Sequence, residues 1–249
     1  MNFFLILILT IAVKSYCSIS TKSSFRKYES EHFRVMHTDI DTNNIKTLSN
    51  YLENNYVRIL KDFKLTKKVR KITIFLYNDI SKLRVEMNIP ETDTWAIGGV
   101  ANSHTVIIMS PNSSFVKQTY TFEGSIKTLV HEFVHCISMM LNPSICNDPN
   151  WLWEGVALYE ANQYTNLKEL GYIRSPKLTP SLKELNNSSN YIKNYDLGYS
   201  YIQYIKYRWG FEGVIALIKN NGNIERALKI SEHVFERRWY IYICNTYLK

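Results

Sequence analysis

His131-Glu132-Phe133-Val134-His135 lies inside an apolar run from Phe122 to Leu141 and sets the frame for the whole chain. Residues i and i+4 of an α-helix share a face, so a helix here turns both imidazoles the same way. Two imidazoles one turn apart can hold one metal ion. Glu132 follows the first of them, placed to handle a proton without binding the metal itself. Two ligands leave a catalytic metal site incomplete, and the third is expected from a separate element.

Nineteen residues beyond His135, Glu154 stands in Trp151-Leu152-Trp153-Glu154-Gly155-Val156-Ala157-Leu158-Tyr159-Glu160, the opening of a second expected helix running to Tyr164. A carboxylate there completes a His131, His135, Glu154 set and leaves a fourth position for water. The pair H-E-F-V-H and W-L-W-E-G-V-A-L-Y resembles the two signature helices of the gluzincin metallopeptidases, zincins whose third ligand is a Glu on the following helix. The resemblance implies one Zn2+ ion and hydrolysis of peptide bonds, with Glu132 as the base.

A third segment, Tyr195-Asp196-Leu197-Gly198, opens the apolar stretch 199–205. It resembles the Tyr-Glu-Lys-Gly segment of gluzincin aminopeptidases, whose Tyr donates to the oxyanion, which implies the same catalytic role for Tyr195. Tyr199 is the alternative donor, because Tyr is abundant here: 18 residues. Gly98-Gly99-Val100-Ala101-Asn102 stands where those aminopeptidases carry Gly-x-Met-Glu-Asn. Ala101 replaces the Glu that anchors a free α-amine, which favours cleavage inside a chain. A plain glycine turn between two strands accounts for the Gly pair equally well.

Along the chain, His32 to His37 alternates as a strand. Ile45 to Phe63 carries an apolar face at helical spacing, and Ile72 to Tyr77 is a second strand. A short helix is expected near Ile80 to Met87, then Trp95-Ala96-Ile97 and a strand ending at Met109. The resemblance implies that this last strand, His104 to Met109, pairs with extended substrate. Leu167 to Ser189 reads as a loop-rich connection, and three or four helices close the chain from Leu197 to Tyr247. Strands thus precede the metal helices and helices follow them, an α+β pattern. The order of elements from about Tyr28 to Leu248 resembles the thermolysin-like arrangement, with an N-terminal mixed-sheet lobe and a C-terminal helical lobe around a zinc cleft.

With 249 residues and 45% apolar content the chain can bury a substantial core, which excludes a disordered protein. Residues 31–249 are expected to form a single metallopeptidase-like domain. The formal charge of +8 is spread along the chain, the densest cluster being Lys67 to Lys71, so a solvated surface is expected rather than nucleic-acid binding. Asn2 to Val13 suits a secretory signal ending between residues 17 and 20, followed by a polar leader over 18–30. Secretion without stable membrane insertion is expected, and a retained N-terminal anchor is the alternative. The expected partner is a peptide or protein substrate.

Two rival functions use the same residues: a catalytically idle binding module of zincin fold, and a zinc hydrolase of a non-peptide substrate. Four cysteines are too few for a disulfide scaffold. Cys136 and Cys146 either form a bridge or leave Cys136 as a small buried residue. His104 and His233 read as ordinary strand and surface-helix residues, Glu160 as facing away from the metal, and Trp151 and Trp153 as core. Asn112-Ser113-Ser114 and Asn187-Ser188-Ser189 match glycosylation acceptors.

Overall fold

Alternating apolar residues build the sheet of the first half. The computed structural model describes residues 25–66, 69–89, 97–146, 148–186 and 191–249. The signal and most of the leader, Lys67-Lys68, Glu91 and Asp93, Trp95-Ala96 and the Asn187 acceptor lie outside them. The chain divides into two compact units, one ending at Ile137 and the other starting at Ser138. It has an α+β fold with a five-stranded mixed sheet.

The first unit holds β1 (Arg26–Glu29), β2 (Phe33–His37), α1 (Ile45–Asp62), β3 (Ile72–Tyr77), α2 (Ile80–Met87), β4 (Gly98–Asn102), β5 (Thr105–Met109) and α3 (Ser114–Thr119). It also holds most of α4 (Phe122–Leu141). The sheet order is β1-β2-β3-β5-β4, with β2, β3 and β5 parallel and the two outer strands antiparallel to their neighbours. Ile72, Ile74 and Leu76 are fully buried on β3, and Leu48, Leu52 and Ile59 line the inner face of α1. Each such side chain stabilises the fold by about 1.5–3 kcal/mol. A second cluster packs Leu83 and Met87 of α2 against Tyr77, Ile107 and Met109.

Three expectations change here. Residues 26–29, read as part of a loose leader, form a strand whose side chains are mostly exposed, so no apolar alternation marks it. Backbone pairing to β2 forms that edge, with Arg34–Glu29 and Arg26–Asp39 contacts of 2.7 Å each on its exposed side. Gly98-Gly99 is no turn but the start of β4, and the turn falls at Ser103-His104. A Cβ on Gly98 would lie 2.6 Å from Ile108 Cγ1 on the neighbouring strand, so the close approach requires glycine. Finally, β5 is bonded to β3 on one side and β4 on the other. It therefore cannot take up an extended substrate, and among the described residues the edge strands are β1 and β4.

Asp41, fully buried, accepts from Ser110 Oγ and from Asn112 Nδ2 at 3.0 Å, while Asn44 Nδ2 donates to Asn112 Oδ1 at 3.0 Å. This network joins the start of α1 to the loop after β5. It also engages both sides of the Asn112 amide, which is 9% exposed in the folded chain. Ser113 accepts from Val116 N and caps α3, a helix the apolar pattern did not reveal.

The second unit contains α5 (Asn150–Glu160), α6 (Leu182–Leu185), α7 (Tyr191–Lys219), α8 (Ile224–Leu228) and α9 (Glu232–Thr246). Helix α5 ends four residues before the expected Tyr164, because Asn162 adopts a left-handed conformation with φ 53°. Between α5 and α7 the described residues make 3-10 turns and the short α6, whose capping box joins Ser181 and Glu184. Helix α7 starts at Tyr191 rather than near Leu197 and breaks at Gly210, where φ is 68°. Tyr201 stacks on Trp239 at 3.9 Å and contacts Trp151 at 5.6 Å, forming the aromatic core expected of Trp151. No helix among the described residues is long and apolar enough to cross a membrane.

Candidate metal centre

The apolar run 122–141 makes α4 the length the pattern predicts. Its middle is fixed by Phe133, the central residue of the H-E-F-V-H stretch. That ring packs edge-on against Phe33 of β2 at 5.2 Å and stacks on Tyr56 of α1 at 5.7 Å. With Phe133 turned into the core, His131 and His135 emerge together on another side of the helix, their ring centroids 4.6 Å apart.

His131, His135 and Glu154 are all buried, and one ligand atom from each lies within 4.8 Å of the others. A tetrahedral zinc with bonds of about 2.0–2.2 Å separates its ligand atoms by about 3.3–3.6 Å. The observed spacing accommodates that geometry with small side-chain adjustment. Two imidazoles and one carboxylate also suit a borderline divalent cation in donor type. Among the described residues this is the only such cluster of His, Cys, Asp and Glu. The three predicted ligands are therefore brought together.

Glu132 is fully buried and takes no part in that cluster. Its orientation follows from Cys136, one turn along the same face. Burial pushes the Cys136 thiol pKa far up, and the Glu132 carboxylate raises it further. The thiol donates to the Asn102 carbonyl at the end of β4, at 3.6 Å. Glu132 thus shares the face of α4 that meets the β4 end of the sheet. Cys136 is a free buried thiol, so the Cys136–Cys146 bridge is not formed.

Tyr195 is buried, 2% exposed, within the second turn of α7 rather than at its start. One turn on, Gly198 touches Gly155 so closely that a Cβ on Gly155 would sit 2.8 Å from the Gly198 carbonyl oxygen. Tyr195 therefore lies on the face of α7 that meets α5, the helix carrying Glu154. Tyr199 meets the C-terminal end of α5, its ring 5.2 Å from that of Tyr159 and 6.0 Å from that of Tyr164 just beyond the helix.

Beside Tyr195 lies a pair the sequence did not reveal. The Tyr172 hydroxyl donates to Asp196 Oδ2 at 2.7 Å, and Lys193 sits over the Tyr172 ring at 5.2 Å. Burial raises the Asp196 pKa, opposed by that hydrogen bond and by Lys193. Asp196 was visible as a neighbour of Tyr195, but nothing in the sequence identifies Tyr172, 24 positions earlier, as its partner.

The smaller expectations divide. His233 is exposed in the first turn of α9, as expected. His104 belongs to the β4–β5 turn, where its N–H donates to Asn102 Oδ1 at 2.8 Å. Burial, then Arg70, lowers its pKa. Glu160 is buried at the end of α5. No protein-family model, curated protein or solved structure matches this chain.

Proposed function

We propose that this chain is a secreted zinc metallopeptidase that cleaves peptide bonds within a chain. The observation that carries the reading is the buried His131, His135, Glu154 set with Glu132 next to its first member. Zinc held by these three residues would supply a Lewis acid and a water whose pKa is brought toward neutrality. Glu132 takes the proton of the attacking water and delivers it to the leaving amine. Tyr195 donates its hydroxyl proton in a hydrogen bond to the carbonyl oxygen as negative charge develops there.

Substrate backbone is proposed to pair with β4, one of the two edge strands among the described residues and the one that neighbours β5. Asn102, at the end of that strand, is joined through Cys136 to the Glu132 face of α4, which supports the assignment. Ala101 on β4 offers no carboxylate to a free amine, in keeping with internal cleavage.

The test is incubation of the full chain with a mixed peptide library, with and without a chelator, beside Glu132→Gln. Chelator-sensitive internal cleavage that the variant lacks is the expected result. Intact peptides after incubation with the zinc-loaded chain would refute the peptidase reading. Ester hydrolysis under the same conditions would instead assign the centre to non-peptide chemistry.

A further inference from the structure

Tyrosines gather on one side of the second unit. Beside the Tyr159, Tyr164, Tyr199 group at the end of α5, the exposed Tyr207 ring of α7 stacks on Tyr242 of α9 at 5.4 Å. Gln203 lies one turn of α7 from Tyr199 and one turn from Tyr207, on the same face. Its Oε1 accepts from the Tyr242 hydroxyl at 3.1 Å and from the Tyr247 hydroxyl. Burial raises the pKa of Tyr199, Tyr242 and Tyr247, and the neighbouring Tyr159 hydroxyl adds to the rise in all three. The two ring groups therefore form one surface, and its phenols keep their protons in neutral solution.

Large aromatic side chains exposed singly are ordinary, whereas a contiguous group marks a binding surface. Here Tyr164 is 67% exposed and Tyr207 70%. Tyr gives contact area and a hydrogen-bonding hydroxyl at a low cost in side-chain entropy, and with Arg it dominates the energetic centres of protein interfaces.

The charged groups acting on this face are cations. Burial raises the Tyr199 pKa and Lys206 opposes it, while Arg208 and Arg238 oppose the burial of Tyr204, the ring packed on Tyr242 at 5.3 Å. Arg208 and Arg238 are both exposed and form no ion pair among the described residues. Of the nearby acids, Glu236 is bonded to Leu182 N, and Glu212 turns its carboxylate onto Gly210 at the break in α7. Stacking takes up one face of Tyr207 and of Tyr242, and Lys206 lies over the Tyr159 ring at 5.1 Å. Hydroxyls and ring edges are left outward, which suit carboxylates and aliphatic side chains better than stacked bases. A net charge of +8 also opposes a second copy of the chain on a basic face.

We infer that the tyrosine face of α7 and α9 docks an acidic segment of another protein. The segment's carboxylates meet Arg208 and Arg238, and its aliphatic side chains lie against Tyr164, Tyr199 and Tyr207. The surface is built within the second unit and does not depend on the metal reading.

The experiment is fluorescence anisotropy of a dye-labelled peptide of repeating Asp-Glu-Leu units, titrated with the full chain. Saturable binding that weakens with salt is expected, with the same affinity in the presence of a chelator, which also keeps the peptide intact. Arg208→Gln with Arg238→Gln should weaken it by about tenfold, the combined effect of two exposed ion pairs. Tyr207→Ser should weaken it by about fivefold or more, and its high exposure leaves the fold undisturbed. Lys46→Gln with Lys82→Gln removes the same charge from exposed positions of the first unit and should change affinity less than twofold. A Lys-Lys-Leu repeat with the same dye should not bind. Absence of saturable binding, or equal weakening by the two charge-matched pairs, overturns the inference. Tighter binding of labelled oligothymidylate, abolished by Tyr207→Ser, would make the face a nucleic-acid surface instead, and self-association abolished by Tyr207→Ser would make it an interface between copies; either overturns the inference as well.

Discussion

Replacing Gly155 by Ala adds one carbon at the closest approach of α5 and α7. That carbon would meet the Gly198 carbonyl oxygen at 2.8 Å and its C and Cα atoms at 3.1 Å. All three are backbone atoms, so no side-chain rotation relieves the contact. Restoring 3.4 Å, an ordinary van der Waals distance, needs the helices to part by about 0.6 Å locally. Overpacking of this kind costs about 1–3 kcal/mol. The better helix propensity of Ala returns about 1 kcal/mol.

The net loss of up to about 2 kcal/mol lowers Tm by up to about 8 °C in a chain of this size. Glu154 is bonded directly to Gly155, so zinc affinity should fall with it, whereas Gly171→Ala, with open space around its Cβ, should change neither. Gly198→Ala meets Gly155 Cα at 2.8 Å and should cost about as much. The double variant should lose less than the sum, since the first carbon already opens the gap for the second. Thermal unfolding and metal titration of the four variants make the test. A Gly155→Ala chain as stable as the parent, with unchanged zinc affinity, would refute the reasoning.

The carboxylates of the proposed centre should separate by role: Glu132→Gln keeps zinc and loses turnover, whereas Glu154→Gln loses zinc, as metal analysis beside a peptide assay will show. Tyr195→Phe should lower kcat by about 10²–10³ with KM and zinc content nearly unchanged, while Tyr199→Phe, whose ring packs on Tyr159, should stay active in the same assay. Acetylating a peptide's N-terminus should leave its cleavage rate nearly unchanged, measured by chromatography of the products. For Glu53, burial raises the pKa, but hydrogen bonds from Ser30 and His32 outweigh it and leave the value below the ordinary one. The stability it confers is present above the usual Glu pKa of about 4.3 and disappears as pH falls through the lowered folded value. Tm measured from neutral to acid pH should therefore drop more steeply for the parent than for Glu53→Gln.

The elements with strong periodicity were legible residue by residue. Ile72 to Tyr77 and Phe122 to Leu141 have the bounds that their apolar patterns implied. The ligand set was equally legible, because i and i+4 spacing on a helix is a local property and the second helix follows within twenty residues. The unread parts were decided by contacts distant in sequence. Residues 26–29 carry almost no buried side chain, and a strand held by backbone pairing leaves no mark in hydrophobicity. Gly98 and Gly99 argue against a strand by propensity, yet close packing on Ile108 selects glycine in one. The order of β5 and β4 in the sheet depends on which neighbour each strand finds, and a strand's own sequence does not encode its rank. Tyr195 lies inside a helix rather than at its start because Tyr191 to Asn194, polar in part, still join α7.

The Asn112 side chain has a bearing on the order of events during the chain's maturation. Its amide nitrogen is the atom a glycan would occupy, and in the folded unit that nitrogen is already committed to Asp41. A glycan on this nitrogen would compete for the space in which the folded unit packs Asn112, only 9% exposed. In a compartment that attaches sugars to Asn-x-Ser motifs, closure of the Asp41 network must outrun the transferase. A chain modified first would carry a bulky substituent where Ser110, Asn112 and Asp41 converge, and the junction between α1 and the loop after β5 could not form. In such a compartment, a correctly assembled copy is one in which Asn112 closed into the network before a sugar reached it.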